Sequence, residues 1–414
     1  MMSNHYLITT CFTGSSFALF CWRTLYESQR ETKSRSISNC QSSDANPLFR
    51  TYHRQSISPD KQTRDKPGIL FLGTGSSTGC PKPLCAILNK YNTQIQQSAT
   101  GARFSCQVSQ MAIQGDPKYN KNYRNNPSIL ISHFNNDDKQ IDKDDLKDDK
   151  LKHVIIDVGK TFREGAIRWM PSHNQSIDAI VLTHEHMDAI GGLDDVRGFQ
   201  KVQKTEHGFA GVPVPVFLSQ RCFEAISRQF HYLVPKKSEP LEEDSIKGSK
   251  KVERHVASLD YQIVKAFEPF VAAGLKITPL PVMHGEDLIC LGFSFSIRNY
   301  TSHESKDVSQ QTHVVYLSDI SRMIPSTQAY ILEKLPPTDI LVVDSLLVEK
   351  RHPTHFCLTQ AVEIAQELGA KQTYIVGMNC DAFKPHDEMN EELSKLEGVN
   401  VQLAHDGLVL HFTN

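Results

Sequence analysis

The sequence has 414 residues, with 45 Lys and Arg against 47 Asp and Glu and a formal net charge of -2. A balance this close to neutral excludes a chain-wide electrostatic grip on nucleic acid or an anionic membrane surface, while leaving room for a local basic patch. Ten Cys are scattered with no C-x-x-C pair, which reads as reduced thiols in an intracellular protein and not as a disulfide framework.

In chain order, residues 1–66 come first and differ from the rest. Nine basic residues stand against five acidic ones, among eleven Ser. Such a leader has the composition of an organelle transit peptide, and a disordered cytosolic tail has it too. The first reading places the protein in the mitochondrion or another organelle, the second in the cytoplasm. The apolar stretch 7–22 is shorter than the ~20 residues of a membrane helix, so no membrane attachment is expected.

Residues 67–414 read as one folded domain with polar insertions. Residues 68–72, GILFL, form a short apolar strand entering a Gly-rich loop, GTGSSTGCP, at 73–81. The spacing G-x-G-x-x-x-G is not the dinucleotide fingerprint, and no amphipathic helix is expected after it, so nucleotide binding is rejected. Backbone amides of such a loop can still approach an anion. Strands follow at 126–131 and 153–158, and the connection near 135–152, dense in Asp, Asn and Lys, reads as a solvated insertion. The uninterrupted run 179–182, AIVL, is a strand buried on both faces. A strand at 213–218 and an amphipathic helix at 220–230 precede a second polar insertion near 235–256. Strands at 275–281 and 291–297 precede a third, near 299–312. Strands at 313–317 and 340–343, a helix at 359–368 and a strand at 373–376 come next. A hairpin around Asp406-Gly407 closes the chain, with arms at 399–405 and 408–412. Meandering strands followed by strands alternating with helices point to an α/β architecture of two packed sheets flanked by helices, an αββα sandwich.

Candidate chemistry sits where these strands end. His184, His186 and Asp188 follow 179–182 directly, His284 follows 275–281, Asp319 follows 313–317, Asp344 follows 340–343, and His355 lies in RHPTHF at 351–356. Loops at strand ends are where a rigid scaffold presents reactive groups, and several such ends converging on one face make a cleft. Two imidazoles and a carboxylate so close together suit a divalent metal of the zinc or manganese kind.

THEHMDA at 183–189 with GGLDD at 191–195 resembles the H-x-H-x-D-H metal signature of the metallo-β-lactamase superfamily. Within it, the continuation resembles the branch of phosphoribosyl cyclic phosphate phosphodiesterase, whose neighbours are tRNA 3′-end endonucleases. LGTGSSTGCP at 72–81 and IDVGKTFREGAIRW at 156–169 resemble the same branch. The resemblance implies that His184, His186 and His284 bind one metal ion. It implies that Asp319 bridges to a second ion, which Asp188 also holds, and that His355 serves proton transfer or phosphate contact. Asp157 and Lys160 are placed to line the site, or Asp157 to cap a helix.

Two positions depart from that pattern. Ala189 stands where the signature ends in His, and the last family His should fall within 373–380, where this chain offers Cys380. A thiolate suits zinc and not manganese. The expected cofactor is therefore a divalent metal, zinc before manganese. One ion is held tightly by His184, His186, His284 and Asp319; a second, on Asp188, Asp319 and Cys380, is weak or absent. Relatives carry a Cys cluster that can hold structural zinc. Here Cys85 and Cys106 occupy that stretch, but Ser109 breaks the C-x-x-C, so ordinary thiols are expected.

The activity implied is that of a metal-dependent hydrolase, first of all a phosphodiesterase for a small phosphodiester, cyclic ones included. The metal would lower the pKa of its water from about 15.7 toward about 7. Asp188 would orient that nucleophile, and a His355 imidazolium would offset charge on the phosphoryl oxygens. Three alternatives stand beside it. A tRNA endonuclease would want a basic arm, whereas the insertions here are mixed in charge. A hydrolase of esters, lactones or thioesters uses the same nucleophile. A non-catalytic metal-binding protein is suggested by Ala189 and Cys380. The expected partner is a small-molecule substrate and not DNA, with RNA open through the first alternative.

Overall fold

An unbroken apolar run, as in Gly68–Gly73, gives a strand buried on both faces, and Ile340–Asp344 and Gln372–Val376 are likewise buried along their whole length. The computed structural model describes residues 66–91, 106–134, 151–170, 176–205, 208–235, 256–299 and 310–412. The leader up to residue 65 and most of the three polar insertions lie outside the described residues. In chain order the first strands are β1 (Gly68–Gly73), β2 (Ser128–His133), β3 (Lys152–Ile156), β4 (Ala179–Val181), β5 (Val202–Thr205), β6 (Gly208–Gly211), β7 (Val214–Leu218) and β8 (Leu259–Ile263). Then come β9 (Phe270–Ala272), β10 (Leu275–His284), β11 (Leu288–Arg298), β12 (Gln311–Leu317), β13 (Ile340–Asp344), β14 (Gln372–Val376), β15 (Val401–Leu403) and β16 (Val409–His411).

They build two seven-stranded mixed sheets, ordered β16-β1-β2-β3-β4-β7-β8 and β15-β14-β13-β12-β11-β10-β9, with β5 and β6 a separate ribbon. In each sheet an antiparallel half runs into a parallel half: β3, β4, β7 and β8 are parallel in the first, and β12 to β15 in the second. Period two sends alternate residues to opposite faces. Ile69, Phe71, Ile129 and Ile156 of the first sheet meet Phe293, Phe295, Tyr316 and Val342 of the second in the layer between them. Their sequence neighbours Leu70, Leu130 and Ile155 pack outward under the helix Phe162–Trp169. Val315, Leu341 and Ile375 do the same under the helix Leu358–Glu367. The result is the αββα sandwich expected from the sequence.

Two expectations are corrected. A helix does follow the Gly-rich loop, at Pro83–Tyr91. The closing strands do not form a hairpin: β15 pairs with β14 in the second sheet and β16 with β1 in the first. The turn at Asp406 is a crossing between sheets. It is pinned there because the buried Asp406 carboxylate accepts from Thr74 Oγ1 at 2.8 Å and from the Asn125 amide at 2.6 Å. Helices at Gln107–Ile113, Phe162–Trp169, Pro325–Lys334 and His386–Leu393 were not foreseen. Among the described residues no helix is long and apolar enough to cross a membrane.

For the site, one feature of this topology matters. β4 and β10 belong to different sheets, yet the Leu291 amide donates to the Thr183 carbonyl at 3.0 Å, so the segment after β4 sits against the β10–β11 hairpin.

Candidate metal centre

β4 ends in Val181, and three residues later His184 is 1 % exposed. Its ring is oriented from behind. Thr183 Oγ1 donates to Asp157 Oδ2 at 2.8 Å and lies 2.8 Å from His184 Nδ1, from which it therefore accepts; the Thr183 amide donates to Asp157 Oδ1 at 2.9 Å. That chain fixes the proton on Nδ1 and turns Nε2 inward. Nε2 is buried and has no hydrogen-bond partner among the described residues. Burial holds the His184 pKa down to about 3, so the ring is neutral and its lone pair available. Asp157 thus neither lines the site nor caps a helix; it supports His184 through Thr183.

His186 is the N-cap residue of the short helix Met187–Ile190, its ring edge-on to His184 with centroids 4.6 Å apart. His284, at the end of β10, donates Nδ1–H to the Thr354 carbonyl at 2.7 Å, which aims Nε2 to within 3.3 Å of His186 Nδ1. One nitrogen from each of His184, His186 and His284 lies within 4.8 Å of the others. A buried, partnerless, neutral Nε2 facing two more imidazoles is the donor set a divalent ion requires, so these residues fit the group.

A second triplet shares His284 with Asp319 and His355, again within 4.8 Å. Asp319 follows β12 in a left-handed conformation, φ 55°, and accepts from Ser318 Oγ at 2.7 Å. Asp157 is left-handed as well, φ 61°. Such conformations cost about 1–3 kcal/mol and gather where a scaffold must aim side chains. Burial opposes charge on Asp319, but His184, His355 and His284 around it bring its pKa down to about 2. Asp188 Oδ1 stands 3.9 Å from His184 Nε2; burial, and then Asp319, push it up to about 7. His355 Nδ1 lies 2.7 Å from Asp344 Oδ2 and 3.9 Å from Asp319 Oδ1. Burial works against its charge, yet Asp344 outweighs it and raises His355 to about 9. Asp344 therefore serves His355, and the acceptors behind His184 and His284 are Thr183 and the Thr354 carbonyl.

Cys380 is corrected: it is not part of this cluster. Its Sγ lies with those of Cys85 and Cys106, all within 4.8 Å of one another, a group able to hold an ion of its own. Cys106 Sγ donates to the Cys380 carbonyl at 3.0 Å, and Cys80 hydrogen-bonds the Cys380 thiol, drawing it down to about 5. The physical reason is the turn after β14, which takes the chain across to the Gly-rich loop, where the Gly377 amide donates to the Thr74 carbonyl at 3.0 Å. The residue of this stretch that does approach the cluster is Gly377. A Cβ there would stand 1.9 Å from Asp344 Oδ1, so it offers no ligand. Ala189 is buried in the core under the first sheet. Lys160 is exposed, its amide donating to the Met187 carbonyl at 3.0 Å beside Asp188. Thr183 was missed in the sequence, although its place directly before the signature was the available signal.

Residues 152–378 match the family described as "Beta-lactamase superfamily domain". A crystal structure described as a new diphosphatase from the PhnP family is 28% identical, with a TM-score of 0.53, and covers 84% of this chain and 98% of that one. A long form RNase Z from yeast is 13% identical, with a TM-score of 0.48, over 85% of this chain and 42% of that one. An octanoyltransferase of Porphyromonas gingivalis is 24% identical over 339 residues, 82% of this chain and 50% of that protein. The chain spans about half the length of that curated relative.

Proposed function

We propose, on the premise that the chain belongs to the beta-lactamase superfamily domain family, that this metal-dependent hydrolase acts on a small phosphodiester. The observation that carries the reading is the pairing, in one cluster, of a metal-ready imidazole, His184, with a proton-bearing one, His355, held by Asp344. The likeness to a diphosphatase at 28% identity supports phosphorus as the reacting centre.

His184, His186, His284 and Asp319 would hold one tight ion, with Asp188 beside them. When bound, the ion supplies Lewis acidity toward water and a phosphoryl oxygen. Asp188 accepts a hydrogen bond from the attacking water, so orienting it, and takes its proton as the new P–O bond forms. His355, its Nδ1 engaged by Asp344, keeps Nε2–H to donate to a phosphoryl oxygen and then to the leaving oxygen as the P–O bond breaks. With Cys380 elsewhere, the argument for zinc over manganese lapses: a nitrogen and oxygen donor set suits both. With His355 kept protonated by Asp344, a second ion would have only Asp188 and the shared Asp319 among the described residues, and would exchange readily.

The test is elemental analysis of the purified protein beside a turnover panel of a phosphodiester, a tRNA precursor, a carboxylic ester and an octanoyl thioester. Metal-dependent turnover of the small phosphodiester above the others is expected. Preference for the thioester would replace the reading with acyl chemistry, in keeping with the octanoyltransferase relative. Bound metal with no turnover at all would replace it with a binding role.

A further inference from the structure

The helix Gln220–Gln229 follows β7, and its first turn reaches both halves of the cluster. Arg221 Nε donates to Glu185 Oε1 at 2.6 Å, between His184 and His186. Arg221 Nη1 donates to the Asp287 carbonyl at 2.8 Å, in the turn after His284. The next residue, Cys222, is buried and donates Sγ–H to the His184 carbonyl at 3.3 Å. The turn itself is held by Ser219, whose side chain accepts from the Cys222 amide at 3.2 Å.

The two segments that Arg221 joins carry ligands from different sheets. They bring His186 Nδ1 and His284 Nε2 to 3.3 Å. A planar guanidinium presents diverging N–H groups in a fixed fork and can bond a carboxylate and a carbonyl at once, which a Lys ammonium on a flexible stem does poorly. We infer that Arg221 is a positioning residue of the metal centre, setting the spacing between the His184–His186 segment and His284 so that the ligands are arranged before an ion arrives. This rests on the metal reading of the histidine cluster. The Arg221 side chain is 53% exposed and that of Glu185 14%. An ion pair so open to solvent adds little to global stability, and the backbone bond from Leu291 to Thr183 keeps the two sheets joined without it. The effect of Arg221 therefore falls on the ligands and not on the fold.

Arg221→Met keeps the aliphatic stem and removes both donors, whereas Arg221→Lys keeps the charge and one contact. Zinc and manganese affinities are measured by competition with a chromophoric chelator, counting only the binding that His184→Ala abolishes, so that any ion at Cys85, Cys106 and Cys380 is excluded. Thermal unfolding of the metal-free protein is recorded alongside. The expected result is about tenfold or greater weakening in Arg221→Met, an intermediate loss in Arg221→Lys, and unchanged metal-free unfolding in both. Adding Glu185→Ala to Arg221→Met should weaken binding no further than Arg221→Met alone, because the two act through one contact. Native affinity in Arg221→Met, or a loss matched by earlier unfolding of the metal-free protein, overturns the inference. Should Arg221→Met not fold, Glu185→Ala carries the same comparison. A native protein that binds neither ion overturns the metal reading, and this inference with it.

Discussion

Thr183→Val isolates the support behind His184 while preserving shape. Thr183 Oγ1 links the His184 ring to Asp157, with 2.8 Å to each. Valine removes both bonds and adds a methyl group of similar size. Asp157 retains the Thr183 amide at 2.9 Å, but His184 Nδ1–H is left in a site where the residue is 1 % exposed. An unsatisfied buried donor costs about 1–3 kcal/mol, so the metal-free protein should lose stability by that order. The larger consequence is for the ion. With no acceptor behind Nδ1 the ring is free to carry its proton on Nε2 instead, which blocks the lone pair that faces His186 and His284. Loss of such an outer partner weakens metal binding about 10–100-fold. Urea denaturation of chelator-stripped protein reads the first effect and chelator competition the second. Native metal affinity in a folded Thr183→Val protein would refute the orientation argument.

Asp344→Asn keeps a side chain of the same shape beside His355 but withdraws the charge that raises it to about 9. The protonated ring exists below its folded pKa, so activity carried by it falls as pH rises through about 9 in the native protein; in the variant, burial prevails and the alkaline limb moves to lower pH. An unmoved limb in the pH–rate profile contradicts the role of His355. Gly377→Ala places a Cβ 1.9 Å from Asp344 Oδ1 at a φ of 77°. It should destabilise the fold by about 1–3 kcal/mol and lower turnover, and a thermal unfolding curve and activity equal to native would refute the close packing. Cys380→Ser should leave the ion at the histidines in place, because the thiol lies with Cys85 and Cys106. Metal content of that variant in a Cys85→Ser background checks this, and loss of the histidine-bound ion would return Cys380 to the cluster.

Much of the site was legible because its donors are tied to strand ends, and strand ends are visible as apolar runs stopping at polar residues. His184, His186, Asp188, His284 and Asp319 lie at or close after such stops, His355 lies 11 residues beyond Asp344 in the loop after β13, and the sandwich brings them together. What escaped depends on contacts between residues distant in the chain. Cys85, Cys106 and Cys380 meet only because the turn after β14 crosses to the Gly-rich loop, which nothing local to Cys380 announces. Residues 399–412 carried an ordinary hairpin pattern, but the choice of sheet for each arm was settled by Asp406 reaching Thr74 and Asn125. The helix His386–Leu393, HDEMNEEL, buries only His386, Met389 and Leu393, too few apolar positions to stand out as a periodic pattern. Arg221 is an exposed charge on a surface helix, and only its two hydrogen bonds distinguish it from its neighbours.

On the function proposed above, the ion held by the histidine cluster is what lets this chain hydrolyse a phosphodiester. The most direct measurement is turnover of a simple phosphodiester by chelator-stripped protein before and after reloading with zinc or manganese, native beside His184→Ala. Native protein should be inactive when stripped and regain turnover on reloading, while folded His184→Ala, which lacks the buried Nε2 ligand, should not. Turnover that survives stripping, or that returns equally in His184→Ala, would contradict the account.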